Sequence, residues 1–533
     1  MKKNLKKALV FTLVSILWVS TLMGCSDTSG TSSTTKSEAD TSGTAVSAST
    51  GENSVDPAAM EKVSIMMPLW SPEAPQQDSP VWTALEEMSG LSLDLQFIPS
   101  DSYNDKLNVS IAAATQLPHA FCVLQNKDNT FVSAARSGMF WDLGDVLKNS
   151  QNISKNLTEE VLYSGAIDGV NYYLPRTRIT TRVAVNYRKD WLEELNLEIP
   201  ETLDDLYEII KAFATQDPDG NGKDDTFGMI TAQSDDTGLW GFGIAAVING
   251  SGNGWVEQDG ELIPTFMTEP YIDTIKWYKK LYDEKLINQD FATIKQEKGF
   301  ELINAEQGGV FLGNSDESTN RFDALLSAKQ AEDPEYELTD LFDFQSRMMS
   351  PDGSIRILGG AQFYGGFAFP KTMLETPEEL QTVFNLFDLI DSEEGKALTK
   401  WGIEGINHEI KDGKAFQINE SRITTDVVAF QQLGITAVSI PAKLTGEEIP
   451  LKMKTDADQL ANQQYAISDP TVPFISETYT AKGLEIRKLY TDATIQWIMG
   501  EIDESGYMAA VEQWKESGGQ DIINEMNEAW KNS

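Results

Sequence analysis

The sequence predicts an α/β fold divided into at least two lobes, and two observations indicate this class. Helical and strand-like patterns alternate through most of the chain, which favours helices packed on sheets. The chain has 533 residues, and the part that carries these patterns, roughly 475 residues, exceeds the size of one ordinary hydrophobic core. We find no repeat at solenoid or propeller spacing.

The elements that support this prediction follow from local patterns. Strands are expected at residues 63–67, 93–98, 184–187 and 366–369. A helix is expected over residues 203–214, because Thr202 is a good N-cap and the apolar side chains recur on one face. A second helix is expected over residues 271–286, and residues 226–230 are expected to be extended.

The N-terminus predicts export and anchoring. Four lysines in the first seven residues precede an uncharged apolar run, so residues 1–24 form a predicted signal peptide. The run ends in a sequence that resembles a bacterial lipobox, so cleavage after Gly24 would leave Cys25 for lipidation and stable anchoring. An uncleaved transmembrane anchor is the alternative. Residues 25–58 are rich in Ser, Thr and Gly and are expected to form a flexible tether.

Charge and cysteine content restrict the partners. The chain carries 82 acidic and 42 basic residues, a formal net charge of −40. Such a field repels nucleic acid and anionic membrane surfaces, so membrane contact is expected through the lipid anchor alone. Cys122 is the one cysteine besides Cys25, which leaves no internal disulfide and requires a large core. We expect a monomer.

Residues 217–228 have the spacing of an EF-hand loop and predict a Ca²⁺ site. Oxygen ligands are expected from the side chains of Asp217, Asp219, Asn221 and Asp225 and from the backbone carbonyl of Lys223. Gly222 stands where the loop must turn sharply. Position 12 is Gly228 instead of the bidentate Glu, so Thr226, water or a distant residue would complete the shell. The alternative is an acidic turn that binds nothing.

Several longer segments carry a specific resemblance. They are residues 188–207 continuing into the acidic loop, 169–175, 391–396 and 401–408. Together they resemble family 1 extracellular solute-binding proteins, and more narrowly the large lipoproteins of oligosaccharide ABC importers that are similar to alginate-binding proteins. The resemblance implies a structural Ca²⁺ in the loop, although those relatives place Glu where this chain has Thr226.

The resemblance also implies a periplasmic-binding-protein-like fold, with two α/β lobes joined by a hinge around a ligand cleft. Lobe 1 is expected to comprise residues 61–175 and about 365–425. Lobe 2 is expected to comprise about 186–358 and about 426–533. The chain would cross between lobes near residues 175–185 and 359–370.

Candidate ligand-binding residues follow from sugar chemistry. Sugars present apolar C–H faces and hydroxyl groups, so their sites need aromatic platforms beside Asp, Asn or Arg. The candidate platforms are Trp70, Trp240, Trp255, Tyr364 and Trp401. Core or hinge packing is the alternative for each. Arg176 and Arg178 could hold a carboxylate bidentately, which would indicate an acidic sugar such as a uronate, whereas ordinary ion pairs are the alternative.

These patterns together predict a lipid-anchored receptor on the extracellular face of the cell membrane. It would capture an oligosaccharide and deliver it to ABC permease subunits, without catalysing a reaction. Two alternatives remain open. One is an extracellular carbohydrate-active hydrolase with a pair of carboxylates, and the other is a peptide-binding lipoprotein of the same architecture.

Overall fold

The computed structural model describes residues 60–71, 73–114, 117–124, 128–155, 157–223, 225–234, 237–319, 321–418, 420–436, 446 and 450–533. All of them belong to one compact unit. The predicted signal peptide, Cys25 and the tether lie outside the described residues. Within the described ranges, no helix combines the length and the apolar character that a membrane crossing requires.

The strands are β1 (Lys62–Leu69), β2 (Ser92–Pro99), β3 (Ala120–Val123), β4 (Tyr173–Thr177), β5 (Val183–Arg188), β6 (Phe227–Met229), β7 (Gln233–Ser234), β8 (Gly238–Leu239), β9 (Trp255–Gln258), β10 (Glu261–Pro264), β11 (Gly308–Asn314), β12 (Phe342–Gln345), β13 (Ile357–Leu358), β14 (Phe363–Ala368), β15 (His408–Lys411), β16 (Lys414–Gln417) and β17 (Ala466–Ile467).

The α-helices are α1 (Pro80–Ser89), α2 (Ser100–Ala113), α3 (Asn129–Arg136), α4 (Gly144–Asn149), α5 (Glu159–Gly165), α6 (Lys189–Glu194), α7 (Leu203–Thr215), α8 (Phe242–Ile248), α9 (Glu269–Asp283), α10 (Gln296–Asn304), α11 (Asp323–Glu332), α12 (Leu338–Leu341), α13 (Pro377–Ile390), α14 (Glu393–Trp401), α15 (Glu420–Asp426), α16 (Pro450–Ala461), α17 (Leu484–Met499), α18 (Glu504–Trp514) and α19 (Gln520–Lys531).

The first lobe is built on a sheet with strand order β2-β1-β3-β14-β4. β1 pairs in parallel with β2 and β3, and β14 pairs antiparallel with β3 and β4. β3 is buried along its whole length, as expected for a strand covered by helices on both faces. The hydrophobic core of the first lobe is formed by residues between 63 and 174, between 363 and 390, and between 423 and 435.

The second lobe is built on a sheet with strand order β12-β5-β11-β6. β5 pairs antiparallel with β11 and β12, whereas β6 pairs in parallel with β11. Two adjoining apolar clusters form the core of this lobe, from residues between 184 and 348 together with the C-terminal helices. The fold is therefore the predicted two-lobed α/β class.

The chain changes lobes at short segments beside the two sheets. It leaves β4 at Thr177 and enters β5 at Val183, and it leaves β13 at Leu358 and enters β14 at Phe363. Residues 178–182 and 359–362 thus form crossovers inside the predicted ranges. A hydrogen bond of 2.7 Å from Gly360 N to Thr180 O joins these two crossovers.

The C-terminal boundary of lobe 1 differs from the prediction. Residues 426–533 were assigned to lobe 2, yet Val427, Phe430, Leu433 and Ile435 are buried in the core of lobe 1. These residues are apolar and follow α15 directly, so they extend its burial against the first sheet. The packing of lobe 2 resumes with Leu451 in α16.

The predicted elements are present, with one shifted end. α7 begins after Thr202 with a capping box, in which the Thr202 side chain accepts from Asp205 N and the Asp205 carboxylate accepts in return. The helix predicted over 271–286 spans Glu269–Asp283, so its C-terminal end was wrong. The chain turns at Lys285, whose φ is 59°, and Leu286 is buried beyond the helix.

Candidate functional site

A cavity of about 630 Å³ lies between the two cores. Leu124, Phe363 and Tyr364 line it from lobe 1, and Trp255 and Phe266 line it from lobe 2. Further walls come from residues 469–480 and from the start of α17. The volume lies within the usual range of about 300–1,000 Å³ for small-molecule sites. The cavity is therefore the interlobe cleft that the fold predicts.

Aromatic rings form much of the wall that lobe 2 contributes. Phe266 stacks on Tyr490 with ring centroids 3.8 Å apart and an interplanar angle of 11°. Trp514 meets the ring of Phe266 edge-on at 4.9 Å. Trp255 begins β9 and is partly exposed to the cavity. Because these rings hold one another in place, they offer rigid apolar faces to a ligand.

Polar groups supply part of the remaining lining, beside aliphatic side chains. Arg487 and Asp469 are charged residues of the wall, and Thr471 is a neutral one. Asp469 Oδ1 accepts from Thr471 N at 2.8 Å and from its hydroxyl at 2.7 Å. The Asn253 amide donates to the backbone carbonyls of Gly359 at 2.6 Å and Ile467 at 3.1 Å, which secures one crossover beside the cleft.

The structure places the five predicted aromatic residues in four different settings. Trp255 and Tyr364 line the cleft, and Tyr364 is 46% exposed. Trp240 lines a second cavity, described below. Trp70 follows β1 and is 54% exposed, but it does not line the cleft.

Trp401 requires a correction. It is 2% exposed, and its carbonyl lies 2.9 Å from the His408 ring. A Cβ atom on Gly446 would meet its indole at 2.0 Å, so the ring packs against backbone. Trp401 is a core residue of the folded chain and not a lining residue of the cleft. The glycines that follow Trp401 suggested a loop, but the glycine that leaves room for its ring is Gly446.

The two candidate arginines also differ. Arg176 is fully buried and donates to Gln432 Oε1 at 2.9 Å, with Cys122 Sγ at 3.5 Å. It is therefore enclosed in lobe 1, which corrects its assignment to the ligand. Arg178 lies at the start of the first crossover and donates to Thr177 O at 2.9 Å. Among the described residues, no carboxylate lies within ion-pair distance of Arg178.

The environment of Arg178 is electrostatically unfavourable for a cation. Burial, with the guanidinium groups of Arg176 and Arg182 nearby, lowers the pKa of Arg178 to about 9. The Arg178 guanidinium stays protonated at neutral pH. Its positive charge is not balanced by a carboxylate among the described residues. Its backbone N donates to Gln362 O at 2.8 Å, which places it next to the crossover that leads to Tyr364.

Several lining residues were missed from the sequence. Phe266, Tyr490 and Trp514 come from different elements, and no local motif joins them. Asp469 and Arg487 are ordinary charged residues in a sequence that has 124 Asp, Glu, Lys and Arg residues. Tertiary packing alone brings these side chains to one cavity, so no pattern in the sequence identifies them.

The second cavity has a volume of about 1,030 Å³ and lies within lobe 2, next to α17. Its lining is mainly polar and charged, with Trp240 as its aromatic residue. The lining residues are Gln233, Ser234, Gly238, Trp240, Lys295, Gln296, Glu297, Leu484, Arg487, Lys488, Thr491, Asp492 and Ile495. Arg487 is shared with the interlobe cleft.

The acidic loop lies between α7 and β6, and none of its described residues lines either cavity. The Asn221 amide nitrogen bridges the carboxylates of Asp219 at 2.7 Å and Asp225 at 3.1 Å. Gly222, with φ of 77°, donates from its backbone N to Asp217 Oδ2 at 3.0 Å. The carboxylates therefore converge on the inside of the turn.

Two properties of these carboxylates fit a cation. Asp217 Oδ1 is buried and receives no hydrogen bond within the described residues. Desolvation and the carboxylates of Asp217 and Asp225 raise the pKa of Asp219. Across the described ranges, no three His, Cys, Asp or Glu side chains form a group that could hold a metal. The candidate shell therefore depends on the Asn221 amide and the Lys223 carbonyl as well.

The missing Glu at position 12 has a structural reason. A Cβ atom on Gly228 would lie 1.8 Å from Ile210 O, because β6 packs directly on α7 at this point. The Thr226 hydroxyl donates to Phe213 O at 2.8 Å and is buried. With Thr226 engaged in this way, water or a distant residue would complete the shell.

The two-lobed fold and its enclosed aromatic cleft define the class of a solute-binding protein, and comparisons agree. A protein-family model described as "Bacterial extracellular solute-binding protein" matches residues 73–334 of this chain. The chain is 33% identical to Lipoprotein LipO of Bacillus subtilis, over 89% of this chain and 93% of LipO. It is also 33% identical to the polygalacturonan/rhamnogalacturonan-binding protein YtcQ of Bacillus subtilis, over 91% of this chain and 94% of YtcQ.

A solved structure shows the same fold. It is an EF-hand mutant of FusA, an ABC-transporter substrate binding protein of S. pneumoniae, in complex with fructo-nystose. The TM-score is 0.67 at 16% identity, over 88% of this chain and 99% of that chain. The chain studied here belongs to the bacterial extracellular solute-binding protein family. It is a binding protein and not an enzyme, which excludes the hydrolase alternative.

Proposed function

We propose that this protein captures an oligosaccharide in the interlobe cleft and delivers it to an ABC permease. The observation that carries the proposal is a cavity between the lobes that is lined by aromatic rings from both. The names of YtcQ and FusA, which state saccharide ligands for those proteins, support it. The ATP that drives import would be hydrolysed by a separate subunit, since this chain has a binding role.

The mechanism is closure of the two lobes on the ligand. A sugar chain that touches Tyr364 on one side and Trp255 on the other binds the closed state better than the open one. Ligand binding then shifts the population towards closure by this difference in affinity. The permease would recognise the closed form.

Direct contacts between the lobes assist closure only slightly. Arg136 of α3 contacts Glu477 at 2.7 Å, and Val472 and Ile475 pack against the first core. The Arg136 and Glu477 side chains are 36% and 68% exposed, and exposed ion pairs contribute about 0–1 kcal/mol. This ion pair therefore contributes little of the free energy that holds the lobes together.

We further propose that the saccharide is acidic. Arg178 is a largely buried cation without a carboxylate partner among the described residues, and it lies next to the crossover that leads to Tyr364. A uronate carboxylate could accept a bidentate pair of hydrogen bonds from its guanidinium. The name of YtcQ, which states polygalacturonan and rhamnogalacturonan for that protein, agrees with this chemistry.

We also propose that the acidic loop binds a structural Ca²⁺. The buried Oδ1 of Asp217, the raised pKa of Asp219 and the spacing of the oxygens support it. Asp217, Asp219, Asn221 and Asp225 would hold the ion, together with the carbonyl of Lys223. A bound Ca²⁺ would supply the positive charge that balances the negative charges of these carboxylates. The name of the FusA structure states an EF-hand for that protein, which supports the proposal.

The proposed location is the extracellular face of the cell membrane. The predicted lipobox at Cys25 would carry the acyl chains, palmitate among them, and the tether would give the receptor reach. The name Lipoprotein LipO, given to a relative of nearly full-length similarity, supports this arrangement. We propose that the receptor acts as a monomer.

Isothermal titration calorimetry tests the proposed function. Purified protein is titrated with oligogalacturonides, with neutral fructo-oligosaccharides and with a panel of short peptides. We expect stoichiometric binding of the oligogalacturonides without the appearance of shorter products. Binding of the neutral sugars alone would remove the acidic-ligand proposal, and binding of peptides alone would establish the peptide-binding alternative.

A further inference from the structure

We propose that the second cavity, here called the Trp240 groove, is an extension of the saccharide site. It would hold the far end of the same sugar chain whose first residues occupy the interlobe cleft. The groove is defined by the lining residues given above for the second cavity. The inference rests on the proposed function, because it assumes that the cleft binds a saccharide.

The two cavities are neighbours and share part of their lining. Thr237 lines the cleft and the next residue, Gly238, lines the Trp240 groove. Arg487 of α17 lines both cavities. A linear ligand that passes the Arg487 side chain would enter one cavity from the other. A single compact sugar has no need of the second volume, whereas a chain would use both.

Trp240 has the support that a stacking platform requires. Its ring lies 5.6 Å from that of Phe311 at an interplanar angle of 28°, and 5.1 Å from that of Phe300 in an edge-on arrangement. Thr231 donates from its hydroxyl to Trp240 O at 2.8 Å, which fixes the backbone as well. The residue remains partly exposed to the groove. A fixed, partly exposed indole suits the apolar face of a sugar ring.

The other lining residues offer the polar contacts that sugar hydroxyl and carboxylate groups require. Lys295 and Lys488 are exposed cations, Glu297 and Asp492 are carboxylates that can accept from sugar hydroxyls, and Gln233 and Gln296 carry side-chain amides. The Gln296 side chain is held in place by a hydrogen bond, in which its Nε2 donates to Glu317 Oε1 at 3.2 Å. Compared with the aromatic cleft, the groove provides more hydrogen-bonding groups and less apolar surface. It suits a solvated chain end.

A length series separates this role from a passive surface depression. Affinities are measured by calorimetry for oligogalacturonides from dimer to octamer. The groove variants are the double substitution Lys295→Ala and Lys488→Ala, and Gln233→Trp, which fills the groove. The control is Lys276→Ala with Lys515→Ala, two lysines of lobe 2 outside both cavities.

We expect the groove variants to bind the shortest oligomers like the unmodified protein and to lose about tenfold or more in affinity for the longest ones. The control should follow the unmodified protein at every length. Equal affinities of all variants across the series, or an equal loss at every length, would overturn the extension site. If the unmodified protein binds no oligogalacturonide, the same series is measured with neutral fructo-oligosaccharides of increasing length and the Gln233→Trp variant. If it binds neither kind of sugar, the proposed function fails first and the inference falls with it.

Discussion

The acidic loop and the interlobe cleft differ in how the chain builds them. The loop is one run of residues between α7 and β6, and its geometry follows from the order of Asp, Asn and Gly in that run. The cleft is assembled from both sheets, the 469–480 segment and α17. The loop can therefore affect stability without contacting the ligand, whereas the cleft can change its ligand without disturbing the loop. Each of the following predictions tests this independence.

The largest loss of ligand affinity is expected from Trp255→Ala, which removes an aromatic face from the cleft. Loss of an aromatic anchor at the centre of a binding site costs about 2 kcal/mol or more, equivalent to about thirtyfold in affinity. Calorimetric titration with oligogalacturonide measures it. Trp70→Ala is the matched control, since Trp70 is exposed outside the cleft. An equal loss in both variants would contradict the placement of the ligand.

Removal of calcium should lower stability and leave ligand selectivity unchanged. A ligand present at a hundred times its Kd stabilises the folded state by about 2.7 kcal/mol. For a chain of this size we expect EDTA to lower Tm by a few degrees, measured by differential scanning calorimetry. Asp217→Asn should show the lower Tm without EDTA and respond little to it. Unchanged Tm and no calcium by metal analysis would show that the loop is only a turn.

The pH dependence of the same experiment has a definite sign. In chelated protein the raised pKa of Asp219 means that the folded state binds its proton more tightly than the unfolded state. The chelated protein should therefore lose the contribution of this group to stability as pH rises through that pKa. Calcium requires the ionised carboxylate, so its stabilisation should grow over the same interval. Thermal melts at several pH values measure both effects. As pH rises, the contribution of Asp219 to the stability of the chelated protein should fall, and the stabilisation by calcium should increase.

Arg178→Gln should change ligand selectivity while preserving the fold. Hydrogen bonds to charged groups contribute about 1.5–3 kcal/mol, so affinity for oligogalacturonides should fall about tenfold or more. Binding of neutral fructo-oligosaccharides, where present, should not weaken. The conservative variant Arg178→Lys keeps the charge but not the bidentate geometry and should recover part of the affinity. Equal losses for charged and neutral sugars would contradict a role in carboxylate recognition.

The smallest effect is expected at the contact between the lobes. Glu477→Gln removes the ion pair with Arg136 but keeps the Arg136–Asp168 pair inside lobe 1. It should weaken ligand binding by about 0–1 kcal/mol, less in high salt. Titration at low and high ionic strength measures it. Lys276→Ala removes the comparably exposed ion pair with Glu504 inside lobe 2 and should have no effect on binding. If both variants behave alike, the ion pair between the lobes does not assist closure.

The same contrast explains what could be predicted from the sequence. The helix after Thr202 and the strand at Val63 follow from caps and local patterns, and the structure confirms both. The loop was recognisable because its residues are contiguous, and its metal stays a prediction. Trp401 was assigned wrongly because the glycines beside it resemble a loop. Phe266 and Tyr490 were missed because only the folded chain brings their rings to 3.8 Å.

The Asn253 amide has a consequence for the rate at which ligand escapes. By donating to both Gly359 O and Ile467 O, it fastens the lobe 2 end of the second crossover to the body of that lobe. Of the two crossovers described above, backbone rotation during opening would then fall on residues 178–182 and 360–362, which are coupled by the bond between Gly360 and Thr180. The residence time of the ligand is thus governed in part by these short segments. The exchange kinetics of the receptor can therefore be adjusted at crossover positions that do not line the cleft, such as Thr180 and Gly360.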